Sequence, residues 1–145
     1  MADWAQMRKV HLFAGLAQSE LVQLAGICSE IDKGSGGLII EQNTTGKEMY
    51  IIVQGSVEVF IKGLEEESVL IFLGQGQVFG EMALLDQGYR SASVRATSEG
   101  CKLYLLEYQK FRELARSNRN IGFQVMRNLA SDLAFKLRHR NLAQM

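Results

Sequence analysis

A run of short β-rich segments cut by glycine constrains this chain more than any other feature. Between residues 31 and 79, turn signals recur at 34–37, 43–46, 54–55, 63 (followed by an acidic run) and 74–76. The segments between them, 38–41, 48–53, 56–61, 69–73 and 78–79, are rich in Val, Ile and Phe and too short for helices. Two more follow at 93–96 and 101–105. Strands this short and evenly spaced, with no long helix between them, predict a mainly β protein built on an antiparallel β-roll of the jelly-roll kind. A doubly wound sheet is excluded, because strands and helices do not alternate.

Helical periodicity flanks the roll on both sides. Over 3–30, Leu21, Leu24 and Ala25 fall at helical spacing behind a polar start at Ser19, and a shorter unit, LFAGL, precedes them. Tyr108, Phe111, Leu114 and Ala115 mark one face of a helix over 107–117. After the polar break SNRN, a longer helix over 120–142 carries Ile121, Val125, Leu129, Leu133 and Leu137 at every fourth position. Gly122, Met126, Leu129, Leu133 and Leu137 fit coiled-coil spacing almost as well. This stripe either packs on the roll or pairs with the same helix of a second subunit in a homodimer. One helix can do the first at its start and the second at its end. With no proline and no repeat to mark a boundary, residues 1–145 are expected to form one domain: helical over 3–30, a roll over 31–106 with an unusual insert at 79–93, and two closing helices.

Composition narrows the function classes. Hydrophobic residues make up 47% and charged residues 22% of the chain, an ordinary globular profile. Sixteen basic side chains balance sixteen acidic ones, so no net charge draws the protein to nucleic acid or an anionic membrane. From Arg112 onward, however, seven Lys and Arg face only Glu113 and Asp132. Spread over two helices, these basic residues describe a solvated face, and nucleic-acid contact would require a further domain. No signal peptide and no bilayer-length apolar run is visible, so a cytoplasmic protein without membrane contact is expected. Cys28 and Cys101 sit among apolar neighbours as reduced core thiols. His11 and His139 lie at opposite ends, and no cluster has metal-ligand spacing. No general base is recognisable, so the chain does not read as an enzyme.

The stretch VFGEMALLDQGYRSASVRA, residues 78–96, carries the chemistry. Gly80 allows close backbone approach, and 81–85 reads as a single helical turn ended by Asp86, Gln87 and Gly88. The opening N–H groups of such a turn suit an anion. Arg90 offers a rigid fork for two phosphate oxygens, Ser91 and Ser93 add hydroxyls, and Glu81 is an acceptor for paired sugar hydroxyls. One arginine with few helpers describes a phosphorylated sugar with a single negative charge. The preceding GQGQVFG has no lysine and does not match a P-loop. A mutual ion pair between Glu81 and Arg90, serving only to stabilise the loop, is the competing structural reading.

This stretch resembles the phosphate-binding cassette of the cyclic nucleotide-binding domain family, with Gly80-Glu81-Met82-Ala83-Leu84-Leu85 followed by Arg90-Ser91-Ala92. MYIIVQGSVEVF is similar to the family's strand–glycine–strand hairpin. LFAGLAQSELVQLA resembles its N-terminal helical segment, and CKLYLLEYQKFREL its last strand and first closing helix. The resemblance spans about residues 10–140. It implies a non-catalytic sensor of cAMP or cGMP, with cAMP favoured by the style of the cassette. By the same resemblance Glu81 takes the ribose 2′-hydroxyl and Arg90 the cyclic phosphate. Backbone amides near Glu81–Met82 and at Ala92 assist, with Ser91 and, with less weight, Ser93; Gly80 lets the backbone approach the ligand. Tyr89 stands where many members have proline. The last helix would lid the base, through a residue not singled out among Phe135, Leu137 and Arg138, and would pass the signal to a partner subunit or an effector protein. A structural module that has lost ligand control, or the sensor part of a longer transcription regulator or channel, stays open.

Overall fold

The computed structural model describes residues 2–85 and 88–144. Four α-helices, α1 (Trp4–Met7), α2 (Gln18–Gly26), α3 (Tyr108–Ser117) and α4 (Arg119–Gln144), enclose six strands. The strands are β1 (Ser29–Lys33), β2 (Leu38–Ile40), β3 (Glu48–Lys62), β4 (Glu67–Leu73), β5 (Val78–Phe79) and β6 (Ser93–Glu107). Two 3-10 turns, His11–Phe13 and Glu81–Leu84, complete the list. The fold is the expected antiparallel roll with flanking helices, and every strand pairing is antiparallel.

Two strands are longer than the glycine pattern predicts. Residues 48–53 and 56–61 are one strand, β3, and 93–96 and 101–105 are one strand, β6. Gly55 and Gly100 adopt left-handed φ values of 81° and 72° inside these strands, where the β3–β6 register shifts around Gly55. They are bends between paired strands rather than hairpin turns. A Cβ on Gly55 would stand 2.3 Å from the Gly100 carbonyl oxygen, so the two strands cross too closely there for a side chain. The first strand, β1, also begins at Ser29, inside the segment expected to be helical.

Each long strand therefore serves two sets of partners. The start of β3 pairs with β5 and its end with β4, while the end of β6 pairs with β1 and its start with β2. Alternation along β3 then separates two cores. Met49, Ile51 and Val53 face a helical layer with Leu24, Phe111, Ile121 and Leu129. Tyr50, Ile52 and Val57 face the interior of the roll with Phe79, Val94 and Leu103.

Deep apolar packing holds α4 over its first half. Ile121, Val125 and Leu129 are fully buried, Leu133 packs at the edge of the same core, and Phe135 and Leu137 are exposed. Gly122 packs on Ala115 of α3 so closely that a Cβ would lie 2.9 Å from the alanine methyl. Glu20 ties α2 to α4. It accepts hydrogen bonds from Asn120 Nδ2 at 3.0 Å and from the Ala17 N–H at 3.1 Å. Ala17 has no hydroxyl, so only the carboxylate half of a capping box forms.

Candidate functional site

A cavity of about 840 Å³ opens where β2, the ends of β3 and β4, the 3-10 turn after β5 and the loop before β6 converge. Its inner wall is apolar, with Ile40, Val59, Leu73, Phe79 and Val94. That volume lies within the range of small-molecule sites, and the polar groups gather on the loop side.

Gly80 caps the turn Glu81–Leu84 with a left-handed φ of 75°. The Ala83 N–H donates to the Gly80 carbonyl and the Leu85 N–H to the Met82 carbonyl, at 3.1 and 3.0 Å. The N–H groups of Glu81 and Met82 come before this ladder, where a turn has no internal acceptor for them. Ala83 and Leu84 are buried beneath, and Met82 is exposed. The Glu81 carboxylate lines the cavity. Asp86 and Gln87, expected to end the turn, lie outside the described residues.

Arg90 lines the same cavity, and its side chain is only 9% exposed. Its Nη2 donates to the Glu48 carbonyl at 2.7 Å and its Nη1 to the Gly80 carbonyl at 3.3 Å. The Glu48 carboxylate lies 3.6 Å from Nη2. A guanidinium has five N–H donors, so those not used in these bonds are open to an anion. The loop 43–46 fixes its backbone: the Asn43 N–H donates to the Arg90 carbonyl, and the Arg90 N–H donates to the Thr44 carbonyl. Glu48 also accepts from the Tyr50 hydroxyl at 3.3 Å, and Tyr50 stacks on Phe79 at 5.0 Å. Burial first, then the nearby Glu48 charge, pushes the Tyr50 hydroxyl up to about 12.

Glu81 and Arg90 therefore do not pair with each other, and the loop-stabilising ion pair is corrected. Arg90 is held by Glu48, and Glu81 lies 3.3 Å from Lys136 of α4. The structure gathers Gly80, Glu81, Met82, Arg90, Ser91 and Ala92 around one cavity. Ser93 is not among the lining residues. It is buried, and its hydroxyl accepts the Gln42 N–H at 2.9 Å. On α4 the cavity is lined by Asp132 and Lys136, and Phe135, Leu137 and Arg138 are not among its lining residues.

The model of the cyclic nucleotide-binding domain matches residues 33–118, more than half of the chain, including the cassette turn and Arg90 but not the α4 side of the cavity. The chain belongs to the cyclic nucleotide-binding domain family. It is 38% identical over 105 residues to the cAMP-activated global transcriptional regulator CRP of Salmonella typhimurium, covering 71% of this chain and 48% of that protein. The chain thus spans about half the length of the curated relatives of that type. Over 79 residues it is 44% identical to the potassium/sodium hyperpolarization-activated cyclic nucleotide-gated channel 4 of Oryctolagus cuniculus, 54% of this chain and 6% of the channel. The catabolite activator protein of Thermus thermophilus superposes with a TM-score of 0.82 at 35% identity, covering 92% of this chain and 61% of that one. A cyclic nucleotide-binding domain from Methylobacillus flagellatus shares the fold with a TM-score of 0.82, at 21% identity and with 98% and 82% of the two chains covered. The cyclic nucleotide-binding domain is a regulatory module and not a catalytic fold. Among the described residues, no helix is long and apolar enough to cross a membrane.

Several residues of the site had no local sequence signal. Glu48 heads an ordinary strand, and Gly46 looks like any turn glycine. Yet a Cβ on Gly46 would stand 2.0 Å from Arg90 Nε, so the absence of a side chain there is what admits the guanidinium. Lys136 lies 55 residues from its partner, and only the fold brings the two together.

Proposed function

We propose that this domain is a sensor of a cyclic mononucleotide, cAMP or cGMP, and that the cavity is its binding site. Glu81 accepts the ribose 2′-hydroxyl, and Arg90 pairs with the cyclic phosphate. The amides of Gly80–Met82 and Ala92 and the Ser91 hydroxyl complete the phosphate cradle, and Ser93 supports it through Gln42. The observation that carries this reading is the nearly buried Arg90, held by two carbonyls and one carboxylate at the wall of a cavity that Glu81 also lines. A desolvated cation beside an apolar cavity favours an anion of low charge, and the Glu81 carboxylate favours a hydroxyl donor on the same molecule. Relatives described as cAMP-activated support cAMP as the ligand and a cytoplasmic setting.

Binding shifts the position of α4, and the exposed end of α4 passes that change to a second copy of the chain or to an effector protein. The single domain over 1–145 is the sensing unit.

Titration calorimetry with cAMP and cGMP, on the parent protein and on Arg90→Ala, tests the assignment. The substitution is expected to weaken binding by ~2–5 kcal/mol, the usual cost of unpairing one member of a buried charge pair. Equal affinity in the two proteins would overturn the assignment of Arg90, and no binding to either would leave an interaction module of the same fold without ligand control.

A further inference from the structure

α4 reaches the cavity through two side chains one turn apart. Lys136 Nζ lies 3.3 Å from Glu81 Oε1, and Asp132 Oδ1 lies 3.3 Å from His11 Nε2 of the first 3-10 turn. All four residues line the cavity. One turn earlier, Asn128 Nδ2 donates to the carbonyls of Leu12 and Ala14, both at 2.9 Å. The apolar hold on α4 fades over the same span, because Leu129 is buried, Leu133 is at the edge of the core and Leu137 is exposed. Among the described residues beyond Leu133, Lys136 thus carries a polar tie between α4 and the cassette turn.

From this juxtaposition we infer that the Glu81–Lys136 pair is a latch that holds the distal part of α4 over the cavity and that an entering ligand must displace. The inference rests on the proposed role of Glu81. Ribose hydroxyls and the Lys136 ammonium are both donors, and both seek the same carboxylate, whose side chain is only 15% exposed. The Lys136 side chain is 65% exposed, so the energy of releasing it is modest and its pull on a distant phosphate is screened. Competition for Glu81 therefore outweighs attraction of the anion. The latch opposes ligand binding and couples it to release of α4, while His11–Asp132 and the Asn128 bonds keep the preceding turns in place.

Lys136→Met keeps the aliphatic stem and removes the charge. Without ligand, hydrogen exchange over 130–139 is expected to be faster in Lys136→Met than in the parent, and to return toward parent values in the charge swap Glu81→Lys/Lys136→Glu. In calorimetry Lys136→Met should bind cAMP or cGMP up to roughly fivefold more tightly, the upper end of the range for an ion pair of this exposure. Unchanged exchange in Lys136→Met, or weaker nucleotide binding, overturns the latch. A parent protein that binds neither nucleotide overturns the proposed function instead, and the exchange comparison then still decides whether the pair holds α4.

Discussion

Gly46 has no left-handed φ, and what requires glycine there is the side chain beside it. An added Cβ would lie 2.0–2.1 Å from Nε, Cζ and Nη2 of Arg90, three atoms at the end of a flexible side chain. In Gly46→Ala the guanidinium moves and the backbone stays. The expected outcome is at least a tenfold loss of nucleotide affinity, on the order of 1.4 kcal/mol, with a near-parental melting temperature. Gly74→Ala is the control, since nothing lies within 4 Å of its added Cβ, and it should bind as the parent does. If Gly46→Ala bound normally, Arg90 would have another way to reach the ligand. At this scale the sequence exposes Gly80, Glu81 and Arg90 because they share one contiguous stretch. Gly46 and Glu48, which hold Arg90, and Lys136, which holds Glu81, stay hidden in ordinary turn, strand and helix patterns.

Among the elements, the contact between α2 and α4 depends on one carboxylate. Hydrogen bonding from Asn120, then from the Ala17 N–H, holds the Glu20 carboxyl below the usual range. An acid whose folded pKa is depressed stabilises the fold fully above its unfolded value, near 4.5. That contribution is lost as pH falls through the lower folded value. Glu20→Gln should therefore cost about 1–2 kcal/mol at neutral pH, in line with lost caps and charge-assisted hydrogen bonds. The difference in melting temperature between variant and parent should shrink as pH drops below about 4.5. A pH-independent difference would mean that packing, and not the charge, is what Glu20 supplies. Strand boundaries were less legible than these helices. Gln54-Gly55 has the composition of a hairpin turn, and only the pairing of β3 with β6 on both sides of it shows a bend in one strand. Gly55→Ala meets both a φ of 81° and the Gly100 carbonyl oxygen at 2.3 Å. A loss of at least about 2 kcal/mol in chemical denaturation is expected, and a neutral result would contradict the close crossing.

For the whole molecule the open question is what covers the far end of α4. The four-residue stripe looks the same in sequence along its length, because a roll and a partner helix ask for the same spacing. Only the fold shows where the roll ends: Ile121, Val125 and Leu129 are covered, whereas Phe135 and Leu137 are 60% and 59% exposed. Two large apolar side chains at the end of a helix that has left its own core fit a symmetric pairing of two copies through α4. Sedimentation of the parent protein should then show a concentration-dependent dimer, and Leu137→Asp should weaken it at least tenfold without altering the fold. A parent that stays monomeric over the accessible range would assign this end of α4 to another partner. Dimerisation and ligand binding also act on the same stretch of helix, which couples them by linkage. If the nucleotide frees the end of α4 for pairing, saturating nucleotide tightens the dimer. Leu137→Asp must then bind the nucleotide more weakly than the parent dimer, by the square root of that tightening factor at each of the two sites. Equal affinity in monomer and dimer would separate the two events and place the output of the sensor elsewhere on its surface.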